Sequence, residues 1–205
     1  GRAPRLEPGR MTTLSFQLPR WLAGYERNLT ARCFATDAER MAAVVALAAE
    51  NVRRGSGGPF GAALFDCADG RCVAAGVNVV LSARCSHLHA EVVALARAEK
   101  FFGVHDLSAA GRFALFTSVE PCVMCLGAVF WSGVARLVCG ATGADAEAIG
   151  FDEGPKPGAW PEALRRRGIR VRRRLLRPRA RAVLAAYAAR GGVLYNAGRA
   201  AASPA

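Results

Sequence analysis

The chain has 205 residues, 52% of them hydrophobic, and a formal net charge of +12, which suits one domain of ordinary size with ample material for a core. No uncharged run reaches the roughly 18 residues of a membrane-spanning helix, and the opening GRAPRLEPGR lacks the apolar segment of a secretory signal. The seven cysteines do not form the framework of a small disulfide-stapled protein; they read as reduced thiols and point to a cytoplasmic protein with no membrane partner.

Residues 1–35 show no clear period and read as a partly irregular N-terminal extension, with Met11 a plausible native start. The spacing Thr36-Asp37-Ala38-Glu39 is that of a capping box, and Met41, Val44, Val45, Ala48 and Val52 follow at helical intervals until Gly55–Pro59 ends the helix. Two β-rich runs, Phe60–Cys67 and Cys72–Val80, flank a turn at Asp69-Gly70 and predict a hairpin. A helix is expected over Leu88–Phe101, a strand over Arg112–Ser118, a helix over Cys122–Trp131 and a strand over Val134–Gly140. A fifth strand, Ile169–Leu175, and a helix over Arg179–Arg190 complete a single domain spanning 36–196, with 197–205 a tail. Strands alternating with helices imply an α/β layer architecture around a largely buried sheet.

Ten arginines crowd the segment from Arg165 to Arg181. A surface for nucleic-acid phosphates is one reading. No aromatic residue interleaves the run, so nothing there would stack on bases; the plainer reading, which we adopt, is a solvated strand and helix face in an arginine-rich protein.

The chemistry-bearing constellation is His89-Ala90-Glu91 followed by Pro121-Cys122-Val123-Met124-Cys125. Catalytic zinc takes three protein ligands and leaves a fourth position for water. His89, Cys122 and Cys125 meet that requirement, each near a predicted helix start, where the dipole and free amides favour thiolates. Glu91, two residues from a ligand, would take a proton from water and pass it to a departing nitrogen. A His-x-Glu element with Pro-Cys-x-x-Cys is the signature of zinc deaminases. The alternative, a purely structural metal clip closed by His87, leaves Glu91 without a role.

At these residues the chain resembles the cytidine deaminase superfamily, and within it the small bacterial zinc guanine deaminases, a branch that includes activity on the triazine ammeline. The resemblance covers about Gly58 to Asn196, through GGPFGAALF, GVNVV, HAEVVAL, SVEPCVMCLGAVFWSGV, EAIGFDEGP and YNAG. It implies a three-layer α/β/α fold with a central five-stranded mixed sheet, a zinc cofactor on His89, Cys122 and Cys125, and a proton shuttle at Glu91. It further implies Phe60 stacking on the substrate, Asn78 hydrogen-bonding the heterocycle, Ala90 and Trp131 in the pocket, a second proton-handling carboxylate at Glu153, and Phe151 covering the base. It also implies a homodimer whose C-terminal segment crosses to close the partner's site, with Tyr195 as its tyrosine. From local sequence alone Phe60 and Trp131 fit core roles and Asn78 a turn, whereas Glu153 sits in a Gly- and Pro-flanked loop of the kind that forms a lid. The expected reaction is guanine to xanthine plus ammonia. The alternatives are a tRNA adenosine deaminase, a deaminase of a nucleoside or of ammeline, and an inactive nucleic-acid-binding protein on the same fold.

Overall fold

The computed structural model describes residues 14–196; residues 1–13, with Met11 among them, and the tail 197–205 lie outside the described residues. The first element is a helix that the sequence pattern did not announce, α1 (Arg20–Thr30), which follows Pro19 and has no side-chain cap. Tertiary contacts create it. Leu22 and Leu29 are buried, and Glu26 accepts the Ala75 backbone N–H at 2.9 Å while Arg97 donates to the Ala75 carbonyl at 2.6 Å. Ala75 lies on an edge strand, so these side chains satisfy backbone groups that would otherwise be left open.

The capping box starts α2 (Asp37–Arg53): Glu39 N donates to Thr36 Oγ1 at 3.2 Å, and Thr36 N donates to Glu39 Oε2 at 3.0 Å. The hairpin β1 (Gly61–Asp66) and β2 (Cys72–Val77) turns through Gly70 at φ +74°, a left-handed backbone that glycine adopts without penalty. β2 stops three residues before the expected Val80, because Val80 opens the short helix α3 (Val80–Ala83). There follow α4 (Ala90–Phe102), β3 (Phe113–Val119), α5 (Val123–Trp131), β4 (Arg136–Ala141), α6 (Gly143–Glu147), α7 (Trp160–Arg166), β5 (Arg170–Arg172) and α8 (Arg177–Ala189). β5 holds only three of the seven residues expected, since the chain turns away at Arg174 and Leu176, both with positive φ.

The sheet order is β2-β1-β3-β4-β5, antiparallel across the first two pairings and parallel across the last two. Alternation along each strand splits the core in two. Ala63, Phe65, Phe116 and Val138 face α1, α2 and α8, while Ala62, Leu64, Leu115 and Leu137 face α4, α5 and α7. The result is three layers, α/β/α around a mixed five-stranded sheet, as the resemblance implied. Gly76 on β2 sets how closely α4 approaches: a Cβ there would lie 2.3 Å from the Ala90 carbonyl oxygen and 2.6 Å from Ala94 N. Among the described residues no helix is long and apolar enough to cross a membrane.

Candidate active site

Two helix starts meet on the same face of the sheet. His89 is the cap residue of α4 and Cys122 that of α5, both with extended backbone. Pro121 therefore stands one residue outside the helix it was expected to open, and Cys125 lies in its first turn. His89 Nδ1 is 3.5 Å from Cys122 Sγ and 3.6 Å from Cys125 Sγ, and the three ligand atoms lie within 4.8 Å of one another. Tetrahedral zinc with Zn–S of about 2.3 Å and Zn–N of about 2.0–2.1 Å needs N···S separations of about 3.5 Å. A hydrogen bond from Cys125, and then the His89 imidazole, pull the Cys122 thiol well below its ordinary value. The same hydrogen bond, and then burial, push the Cys125 thiol well above its ordinary value, and burial pushes the Cys72 and Cys139 thiols up to about 12. His87 does not join the cluster; its Nδ1 faces Cys85 Sγ at 3.9 Å.

Beside the cluster lies a cavity of about 260 Å³ whose walls include Phe60, His89, Glu91, Cys122, Phe151, Glu153 and Tyr195. That volume sits just below the range of about 300–1,000 Å³ for drug-sized ligands and suits a small ring. Glu91 is buried next to Cys125, and burial, then the Cys122 sulfur, raise its carboxyl above the ordinary value. Glu153 is 5% exposed. Burial raises it to about 7 in spite of Lys156, whose Nζ is 2.8 Å from Oε2. Phe151 packs edge-on against Phe60 at 4.9 Å and against Tyr195 at 5.1 Å, which gives the cavity aromatic walls. The loop bearing Glu153 is fastened on two sides: Val123 N donates to the Glu153 carbonyl at 3.0 Å, and Asn196 bridges Asp152 N and the Gly150 carbonyl at 2.9 and 2.8 Å.

Residues 35–141 match the family described as the cytidine and deoxycytidylate deaminase zinc-binding region. The chain belongs to this family. It is 41% identical to the guanine deaminase of Bacillus subtilis over 109 residues, 53% of this chain and 67% of that protein. A solved structure of the guanine deaminase from Nitrosomonas europaea superposes with a TM-score of 0.83 at 46% identity, covering 88% of this chain and 100% of that one. A second, in complex with 2,6-diaminopurine, gives 0.83 at 47% identity, covering 90% and 97%.

Zinc is thus the cofactor of this deaminase, and the donor set fits it: one imidazole nitrogen and two cysteine sulfurs at the right separations, with the Glu91 carboxyl alongside. Of the residues singled out from the sequence of the deaminase, eight meet at this site. Asn78 lies behind it, wholly buried and outside the cavity lining, its N–H bonded to the carbonyl of Phe60 at 3.2 Å; among the described residues its Nδ2 has no partner, and an unpaired buried amide costs about 1–3 kcal/mol unless a ligand accepts from it. Ala90 is a core residue wholly buried over Gly76 and is not among the residues lining the cavity. The expectation for Trp131 is corrected. It is 70% exposed at the far end of α5, where it and Phe130 flank Arg167, because nine helical residues carry it about 13 Å from the metal end.

Three contributors were not foreseen. Glu120 lines the cavity, accepting from Arg173 Nε at 2.6 Å and from Gly143 N at 3.1 Å; its place before Pro121-Cys122 was the available signal. Lys156 stands three residues from Glu153 and reaches Pro121, 35 residues away; Asn196, within the YNAG segment, acts on a loop more than 40 residues away.

Proposed function

We propose that this chain hydrolyses guanine to xanthine and ammonia at a zinc centre held by His89, Cys122 and Cys125. The observation that carries the reading is the meeting of this triad with two buried carboxylates, Glu91 and Glu153, in one small aromatic-walled cavity. The guanine deaminases of Bacillus subtilis and Nitrosomonas europaea, similar over most of the fold, support the choice of ring.

Phe60 and Phe151 offer apolar faces to a flat ring, and Asn78, bonded to Phe60 just behind the cavity wall, carries an Nδ2–H unpaired among the described residues that is a donor for a ring acceptor. Tyr195 closes the cavity against water. Bound zinc supplies the Lewis acidity that makes water nucleophilic near neutral pH. Glu91 removes the proton of the attacking water and delivers it to the exocyclic nitrogen, which leaves as ammonia while the ring carbon keeps the oxygen. Glu153, buried in the cavity wall with Lys156 Nζ 2.8 Å from its Oε2, exchanges a proton with the purine ring.

The test is ammonia release by the zinc-loaded protein from guanine, ammeline, cytosine, cytidine, guanosine, adenosine and tRNA. Guanine should give the highest kcat/KM, with xanthine as product. Faster turnover of a nucleoside, of ammeline or of tRNA overturns the substrate assignment.

We further infer a cytoplasmic homodimer with exchanged C-terminal segments. Seven free cysteines support the compartment. The exchange is supported by the link after α8, Gly191-Gly192 with Gly191 at φ +64°, a hinge through which residues 193–196 could make in a partner the contacts they make in their own chain. Mixing Glu91→Gln with Tyr195→Ala protein decides it. Exchange restores activity, because a heterodimer then contains one site with both native residues. A segment acting within its own chain restores none.

A further inference from the structure

We infer that Lys156 is a positioning residue that fixes Glu153 against the metal-ligand loop, and that position 143 is glycine to leave room for its ammonium. This rests on the reaction proposed above and goes beyond it. The Lys156 ammonium is 2.8 Å from Glu153 Oε2 and 3.3 Å from the carbonyl oxygen of Pro121, the residue before Cys122. Its side chain is only 14% exposed and that of Glu153 6%, so the pair is shielded from water. A Cβ on Gly143 would lie 2.3 Å from Lys156 Nζ and 3.4 Å from Glu153 Oε2. The Gly143 peptide is itself pinned, its N–H donating to Glu120 Oε2, while Arg173 holds the other oxygen of Glu120.

The composition points the same way. Only two of the 28 basic residues are lysines, Lys100 and Lys156. An ammonium is a compact point charge with three rotatable donors, whereas a guanidinium is a broad planar fork. The gap above Gly143, between one carboxylate and one carbonyl, takes the first. A carboxylate on a loop otherwise loses catalytic efficiency to rotamer freedom, and a misplacement of about 1 Å costs on the order of 100-fold in rate. Lys156 removes that freedom by tying the lid to the loop that carries Cys122.

Gly143 has no left-handed backbone, so Gly143→Ala is conformationally permitted and displaces only the far end of a flexible side chain. The experiment compares Lys156→Met, Gly143→Ala and the double variant, all zinc-loaded. Each single change should lower kcat for guanine by about 10–100-fold, with zinc content unchanged and KM and binding of xanthine within about threefold. The double variant should be no worse than the more impaired single variant, because both remove the same contact. Wild-type kcat in Lys156→Met, losses that multiply in the double variant, or a loss confined to KM overturns the assignment. If the wild-type chain leaves guanine untouched, it is the reaction that fails, and Lys156 is judged by amide exchange of Val123 and residues 150–158. Faster exchange in both single variants, not increased further in the double, upholds it; unchanged exchange overturns it.

Discussion

Glu91 and Glu153 are both buried carboxylates, yet their surroundings differ. Glu91 lies beside the sulfurs of Cys122 and Cys125, with no Lys or Arg paired to it among the described residues, which suits a group that must accept and surrender a proton within one turnover. Glu91→Gln preserves the size of the side chain and removes the proton carrier. The variant should keep its zinc, measured by metal analysis, and lose about 10²–10⁴-fold in kcat. Glu153 makes a prediction about stability. Its carboxyl is raised from 4.5 to about 7, so between those values the folded protein keeps a proton that the unfolded chain has released. Stability therefore falls as pH rises through that window, by at most about 3 kcal/mol, and levels off above it. A bound dication draws a nearby carboxyl down again, so the slope belongs to metal-free protein. Urea unfolding at pH 5 and pH 7.5 should show it in chelated wild type and a much smaller one in Glu153→Gln.

At the scale of elements, Gly76 decides where the metal site can form. It is the point at which β2 meets the first turn of α4, and a side chain there would strike the backbone of Ala90 and Ala94. A helix start cannot yield as a flexible side chain does. Gly76→Val should cost about 1–3 kcal/mol by overpacking and displace His89, lowering zinc stoichiometry together with melting temperature. Elements of this kind were legible to different degrees. The capping box at Thr36 and the short apolar runs of β1, β3 and β4 are local signals, and each of these elements appeared within about two residues of its expected bounds. Helix α1 was missed although Trp21, Leu22, Tyr25 and Leu29 recur at helical spacing, because the run is short, opens without a side-chain cap and contains Gly24; Glu26, reaching Ala75 and Arg97, also holds it in place. β5 was overestimated because its arginines hid two turns. The ligands and Glu91 could be read because they cluster in two short motifs, whereas Trp131 was misplaced by ignoring the length of its own helix, and the contact of Lys156 with Pro121 depends on how segments 35 residues apart pack.

Four arginines of the run act on the whole molecule through ion pairs. Arg172 pairs with Asp37, Arg173 with Glu120, and Arg177 and Arg181 with Asp145, tying β5 and α8 back to α2, the metal loop and α6. Asp145 is the most heavily used of these acids. Arg177 grips it through two bonds of 2.8 Å, and it also accepts from the N–H and hydroxyl of Thr142, which together hold its carboxyl well below the usual range. Asp145→Ala would leave the Thr142 cap half made and free the start of α8, the helix that delivers Tyr195 to the cavity. The arginines are partly exposed, at 37% and 62%, so solvent screening limits the electrostatic loss, and cap and pair together should cost about 2 kcal/mol. In a protein of this size that is a drop of roughly 4–8 °C in Tm, and KM should rise as closure weakens. Arg166 and Arg179, which make no ion pair among the described residues, provide the contrast: each changed to Ala should move stability by no more than about 0.5 kcal/mol. A melt in which the Arg179→Ala protein fell as far as Asp145→Ala would mean that the run stabilises the chain by something other than these pairings.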